Sequence, residues 1–384
     1  MRRAAPHDVQ CKLASTTTGL KGQGRPPVKK STMKRTVPAP HLSIGIDLGI
    51  EQAHACVVDR GGKVQERIAF VLTPGELARL FGGKEHAVIV LETCTVSSWV
   101  ARLLEELGHE VLVCNPRRLK MIASSTLKTD KLDAEILGRM ARLSQLDPDL
   151  VHSVTVRARA TQLLRSEFRG RDHLVAMRTQ AINFVRAVLR ADAIPVPRCN
   201  SDAFAAKINL EALPPDVRCV IEAQVELIAN LTSGIAAADE RIREMARQIH
   251  GVNAMMSIDG VGTLTAVAFA LCIEDPSRFS KSRDVGPYLG LTPKLRQSSE
   301  EEKRGAITKQ GDETVRRLLV QAALCCLRCK RDSDLKRWAL SVAARRGKKK
   351  AIVALARKLA VLMHHVWITG ELYEPLRKPL TKAA

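Results

Sequence analysis

Two short apolar runs, each ending on a carboxylate, constrain this chain more than any other feature. Ser43-Ile44-Gly45-Ile46-Asp47-Leu48-Gly49 reads as a strand that closes on an acid and then a glycine. Ala87-Val88-Ile89-Val90-Leu91-Glu92-Thr93 repeats the pattern. Continuous runs of this length and β-branched content fit strands buried on both faces. Further on, Lys128-Thr129-Asp130-Lys131-Leu132-Asp133-Ala134-Glu135 opens a helix in which Asp130 and Asp133 are three residues apart and share a face. Four carboxylates at the ends of elements sit where a two-metal phosphodiester site needs them.

The segments around these runs predict a mixed sheet. Strands Leu42–Asp47, Ala53–Asp59 and Val64–Val71, with a Gly61-Gly62 turn, make a three-stranded meander. Pro74-Gly75-Glu76 starts a short helix, Ala87–Leu91 is a strand, and Ser97–Leu107 has helical periodicity ending at Gly108. Glu110–Cys114 is a fifth strand and Pro116 opens another helix. Asp130–Ser144 continues as an amphipathic helix with Leu132, Ile136, Leu137, Met140 and Leu143 inward. The order β-β-β-α-β-α-β-α places the chain in the α/β class, helices packed against a sheet.

Charge narrows the partners. The 384 residues carry a net charge of +21, which points to a polyanion, and length alone suits two or three domains. Nucleic acid is preferred to a membrane because no stretch approaches the roughly 18 apolar residues of a spanning helix. Aromatic residues make up only 3% of the chain, which argues against base stacking as the main mode of recognition. Ten cysteines lack framework spacing, so a reduced cytosolic chain is expected. Cys326-Leu327-Arg328-Cys329 is a CxxC inside an apolar helix with no second pair and no nearby His, which reads as buried helix-face thiols rather than zinc. Residues 1–40 are basic and rich in Gly, Pro, Ser and Thr; they read as a disordered arm that either tracks phosphates or is a variable leader.

Between about Thr155 and Ile194 lies a helical segment rich in Arg, including Arg157, Arg165, Arg171, Arg178 and Arg186. A second helical run spans about Pro215 to Ile249. Together they predict an antiparallel arm whose Arg content exceeds what a solvated face needs, suiting self-association and phosphate contact. Ser257-Ile258-Asp259-Gly260-Val261-Gly262-Thr263 has the pattern of a helix-hairpin-helix turn; the amides around Gly260 and Gly262 suit a backbone phosphate. Tyr288–Pro293 leads into a polar loop, Lys294–Gly305, then Ile307–Asp312 and a helix from about Glu313 to Leu327. The basic run Arg345–Lys350 precedes a helix around Ile352–Trp367 and a Pro/Lys tail.

Two constellations carry chemistry. Attack on a phosphodiester needs charge neutralised at the scissile phosphate and at the leaving oxygen, which paired Mg²⁺ ions about 4 Å apart supply. Mg²⁺ takes oxygen ligands, so Asp47, Glu92, Asp130 and Asp133 suit it (Mn²⁺ is the alternative). The plain alternative for Asp130 is an N-terminal helix cap. The second constellation is Gln297-Ser298-Ser299, with Arg296, Lys303, Arg304 and Lys309 around it. A serine hydroxyl needs activation and nearby cations to attack a phosphate. Polar loops routinely contain Ser, and Glu300, Glu301 and Glu302 suit a solvated loop equally well.

Taken in order, Gly45-Ile46-Asp47, Val90-Leu91-Glu92-Thr93, Val113-Cys114-Asn115-Pro116-Arg117-Arg118, Lys128–Ala134, Asp259-Gly260-Val261-Gly262, Tyr288–Pro293 and Gly305–Asp312 resemble the DEDD transposases of the insertion-sequence one-ten family, relatives of the Piv invertase. The likeness covers about residues 41–330. It implies a RuvC-like (RNase H fold) catalytic domain over 41–150, a helical coiled-coil dimerisation arm over 151–250, and a mostly α-helical transposase domain with helix-hairpin-helix and catalytic serine over 251–370, between the 1–40 arm and a 371–384 tail. It also implies a DNA recombinase that works as a dimer or tetramer with a structured bridge RNA pairing donor and target DNA, in a prokaryotic cytoplasm at the nucleoid. Asp47, Glu92, Asp130 and Asp133 match the acidic tetrad, and Ser298 matches the serine that links covalently to DNA. Relatives commonly carry Gly after that serine where this chain has Ser299, which keeps Ser299 as a rival. They also carry a Thr-Gly pair where this chain has Cys94-Thr95. A RuvC-like nuclease using water, and a non-catalytic nucleic-acid-binding remnant, are the alternative readings.

Overall fold

The computed structural model describes residues 42–115, 130–148, 151, 153–298 and 301–376, all within the unit Ala39–Ala384. The helix expected at Pro116 and the arm expected at 1–40 lie outside the described residues.

Five strands form one sheet: β1 (Leu42–Leu48), β2 (Gln52–Val58), β3 (Val64–Val71), β4 (Ala87–Glu92) and β5 (Glu110–Cys114), in the order β3-β2-β1-β4-β5. The β1–β2 and β2–β3 pairs are antiparallel, joined by short connections; at the Gly61-Gly62 turn the Gly62 N–H donates to the Asp59 carbonyl at 3.0 Å. The β1–β4 and β4–β5 pairs are parallel, which requires crossovers. Helices α1 (Pro74–Phe81) and α2 (Ser97–Glu106) supply them. Thr73 caps α1, its hydroxyl accepting from the Glu76 N–H at 3.2 Å. Ile44, Ile46, Ile89 and Leu91 point to these helices and bury against Leu77, Phe81, Val100 and Leu104.

The opposite face is covered by α3 (Asp130–Leu146), where Val88 and Val90 pack on Leu137, Met140 and Ala141. The inner stripe of α3 keeps the expected Leu137 and Met140 and differs elsewhere. Leu132 is exposed, and Ala134, Leu137, Gly138, Met140 and Ala141 are buried. The reason is steric: a Cβ on Gly45 would lie 2.0 Å from the Gly138 nitrogen and 2.2 Å from the Ala134 carbonyl oxygen. Helix and strand touch backbone to backbone, so the small residues Ala134 and Gly138 mark the contact line beside Leu137.

Helices α4 (Arg159–Ala191) and α5 (Pro215–Gln248) form the arm. Arg171 meets Asp239 at 2.8 Å and Arg178 reaches Thr232 at 3.3 Å, so the two run antiparallel. Ile182, Val185 and Leu189 pack on Val217, Ile221 and Val225 around Phe204.

The C-terminal part gathers α6 (Val252–Met256), α7 (Thr263–Ile273), α8 (Val285–Tyr288), α9 (Glu313–Arg328), α10 (Asp334–Arg346) and α11 (Lys348–Thr369) into one core. Phe168, Ile242 and Ala246 of the arm join it. Three expectations need correction. The polar loop Lys294–Gly305 is an antiparallel hairpin of β6 (Pro293–Ser298) and β7 (Glu301–Ile307). Its strands are rich in charged residues and carry no apolar alternation, so apolar periodicity gave no signal. The basic run spans a helix break at Gly347 (φ 82°), Arg345 and Arg346 ending α10 and Lys348–Lys350 opening α11. Helix α11 is, by length and composition, apolar enough to cross a membrane, against the expectation that no such stretch exists; half of its apolar window is buried within the protein. Leu355, Leu359 and Met363 lie in the core, which accounts for its apolar character.

Candidate nucleic-acid active site

Asp47 and Glu92 are set by strand pairing. Ile46 pairs with Leu91 in the parallel β1–β4 register, so Asp47 and Glu92, one step on, are neighbours on strands about 4.8 Å apart. Alternation fixes the face. Ile44 and Ile46 take the α1–α2 side, leaving Ser43, Gly45 and Asp47 toward α3; Ile89 and Leu91 do the same for Val88, Val90 and Glu92. Both carboxylates therefore stand on the α3 face, half-buried at the rim.

The direction of α3 brings its start to the same rim. Gln145 Nε2 donates to the Ser43 hydroxyl at 2.8 Å, while Ala134 and Gly138 back onto Gly45. The helix thus runs opposite to β1. Asp47 lies two residues beyond Gly45, about 7 Å along the strand, and Asp130 lies four residues before Ala134, about 6 Å along the helix. The structure brings together the strand pair and the first turn of α3, where Asp133 is half-buried. The third acid of that segment has another role. Glu135 pairs with Arg67 and with Arg139, each at 2.7 Å, and hydrogen bonds first from Arg139 and then from Arg67 hold its carboxyl below the usual range. It ties α3 to β3.

Beside Glu92, its register partner Cys114 has a thiol pushed up to about 11, first by burial and then by the Glu92 charge. The turn after Glu92, where Cys94-Thr95 stands, is closed by Ser97: its hydroxyl accepts from the Cys94 N–H at 3.2 Å and donates to the Cys94 carbonyl at 3.0 Å.

Among the described residues no group of three or more His, Cys, Asp or Glu side chains is placed to hold a metal ion. Paired carboxylates still fit a hard divalent ion, since Mg²⁺ is bound through one or two carboxylates plus substrate phosphate and water more often than in an all-protein cage. Of the CxxC pair, Cys326 is buried on α9 and Cys329, half-buried, follows its last turn.

Ser298 closes β6 and pairs with Glu301 across the hairpin, so it stands at the tip; Arg296 pairs with Lys303 and Leu295 with Arg304. At the hairpin base two backbone turns interlock. A Cβ on Gly290 would lie 2.0 Å from the Gln310 carbonyl oxygen, and one on Gly311 2.2 Å from the Tyr288 carbonyl oxygen. Lys309 sits between them with φ 56° and donates its N–H to the Gly290 carbonyl at 3.2 Å. Tyr288–Pro293 and Ile307–Asp312 thus make one rigid footing for the hairpin. Asp312 then caps α9, accepting from the Val315 N–H at 3.0 Å, and pairs with Arg165 at 2.5 Å.

Of the two hairpin-turn glycines, Gly262 is exposed before α7 with open space where a Cβ would be. Gly260 (φ 86°) is pressed on α9, where a Cβ would lie 2.3 Å from the Ala322 carbonyl oxygen. Several arm arginines are spent inside the protein: Arg165 on Asp312, Arg171 on Asp239, Arg178 on Asp202 and Arg157 on the Cys272 carbonyl. Their abundance reflects internal tethering as much as any nucleic-acid grip.

Residues 44–192 match the transposase family of the DEDD type of IS110, and residues 252–339 match the transposase IS116/IS110/IS902 family. The chain belongs to the IS110 family of transposases. The two matched segments hold, respectively, the carboxylate rim and the serine hairpin. Among relatives, the transposase for insertion sequence element IS1328 of Yersinia enterocolitica is 28% identical, over 86% of this chain and 98% of its own length. The transposase for insertion sequence element IS1111A of Coxiella burnetii is 27% identical, over 86% of this chain and 90% of its own length. The sequence named the carboxylates that the strand register sets side by side and gave no sign of the Arg165–Asp312 tie; the acid before a helix was a cap signal, but its arginine partner lies 147 residues away.

Proposed function

We propose that this IS110-family chain cuts and rejoins DNA strands at the ends of its insertion sequence, with a divalent-ion centre at Asp47, Glu92, Asp130 and Asp133 and with Ser298 as nucleophile. The observation that carries the proposal is the strand register that sets Asp47 beside Glu92 at the rim under the start of α3. The sheet order supports the RuvC-like reading of 41–150. When bound, Mg²⁺ or Mn²⁺ supplies charge neutralisation at the phosphate and the leaving oxygen. The Ser298 hydroxyl gives up its proton as an Oγ–P bond forms; the P–O bond to the adjoining nucleotide breaks and the released oxygen takes up a proton. Attack by a DNA hydroxyl on the phosphoserine restores the serine and joins the strands. Arg296, Lys303, Arg304 and Lys309 offset the charge on the phosphorane, and Gly262 presents open amides to a backbone phosphate.

The arm is assigned to self-association as a dimer or tetramer, because Leu163, Phe184 and Val220 remain largely exposed on it. A composite centre, one protomer's acids facing another's serine, and guidance by a bridge RNA follow from the family likeness. The test uses purified protein, Mg²⁺ and plasmid DNA carrying the element ends. A denaturing gel is expected to show a protein–DNA adduct lost in Ser298→Ala and kept in Ser299→Ala. Cleavage without any adduct would favour the water-using nuclease instead.

A further inference from the structure

A groove runs between the base of the β6–β7 hairpin and the α10–α11 junction. Pro293 and Gly305–Ile307 form one wall, and Val342 and Val353 lie along its floor. The other wall carries Arg345, Arg346, Lys349 and Lys350, all exposed. Among the described residues no carboxylate lies in ion-pair range of these four; Arg345 spends only its Nε, on the Ser341 carbonyl at 3.3 Å. Lys358 in the same groove is committed, its amine 4.3 Å from the centre of the Trp338 ring. Arg357, also exposed in this groove, lies over Gly286, where a Cβ would come 3.0 Å from its Nε.

We propose that this groove binds the backbone of the DNA flanking the strand that Ser298 attacks. The proposal rests on the reading of Ser298 as nucleophile for its choice of DNA over RNA. Pro293 stands five residues from Ser298, so the groove begins about 17 Å from the hairpin tip. The phosphates of one duplex strand recur about every 3.4 Å of helix axis, so for a duplex lying along the hairpin the contacted backbone is about five nucleotides from the scissile phosphate. Four exposed cations facing an uncharged wall match a polyanion that lies lengthwise, and the scarcity of aromatic side chains there suits phosphate contact without base stacking. The Gly347 break is what turns two helix ends toward one groove.

The test measures binding of the full chain to a 40-bp random-sequence duplex and to an RNA hairpin of equal length, across a salt series. For the variant R345Q/R346Q/K349Q/K350Q the slope of log K against log salt on duplex DNA is expected to fall by about 3 to 4 in magnitude, near 0.9 for each phosphate that is no longer neutralised. The charge-keeping variant R345K/R346K/K349R/K350R is expected to retain the wild-type slope, and an unchanged melting curve for both shows that the fold is intact. An unchanged slope in the glutamine variant overturns the proposal, as does a fall confined to the RNA. The adduct assay on Ser298→Ala reports separately: an adduct that survives it refutes the serine reading, while the slope decides the groove.

Discussion

Gly45 shows how a residue with no side chain places the two acids. Its missing Cβ lets α3 touch the β1 backbone, and that contact aims the start of the helix at Asp47 and Glu92. Gly45→Ala is expected to destabilise by about 1–3 kcal/mol or more, because the obstacle is backbone that must shift, and to lower excision along with stability. Gly75→Ala, in the first turn of α1 where a Cβ meets nothing within 4 Å, is expected to be neutral or to stabilise by up to about 1 kcal/mol. Urea unfolding of the two variants checks the contrast. Asp47 and Glu92 were legible because each ends an apolar run, and a charge is tolerated only at the rim of a buried strand. The part played by Gly45 was not legible, since its partner Gly138 lies 93 residues further on and close approach leaves no periodic mark.

At the scale of elements, the Arg165–Asp312 pair fastens α4 to the start of α9, with both side chains mostly buried. Burial alone would raise the Asp312 carboxyl, but the Val315 N–H and the hydrogen bond and charge of Arg165 outweigh it and hold the group below its usual range. A depressed acid stabilises the fold above its unfolded pKa, about 3.9, and that stabilisation is lost as pH falls through the lower folded value. Asp312→Ala is expected to cost about 2–4 kcal/mol at pH 7, with the difference from wild type shrinking below about pH 4; melting curves across pH 3–7 measure it. The five strands and the long helices could be read from apolar periodicity. The β6–β7 hairpin could not, because it stands on an interlocked base that does not show in the residue pattern. Gly290 and Gly311 mark that base, yet only the folded chain shows that each admits the other segment's backbone.

For the whole molecule, the proposed composite centre calls for more than one copy. The arm buries its own seam and still exposes Phe184, Leu163 and Val220. Replacing Phe184 and Val220 together by Glu is expected to shift the protein to monomer in light scattering without altering its melting curve, and a wild type that is already monomeric at micromolar concentration would contradict the assignment. EDTA is expected to abolish cleavage and Mg²⁺ to restore it, with rate against metal concentration as the check. Net charge points to a polyanionic partner from the sequence alone, but not to where the charge would act: much of the arm's arginine is tied internally, while exposed cations gather at a groove formed by two helix ends distant from the acids in sequence.

The most direct test of the paired carboxylates is excision of the element in bacterial cells, scored by amplification across the rejoined junction, with Asp47→Asn and Glu92→Gln in a chain shown to be folded. Loss of several kcal/mol of charge stabilisation at the phosphate predicts a fall of about a hundredfold or more for each. Excision at the wild-type level in either folded variant would contradict the account.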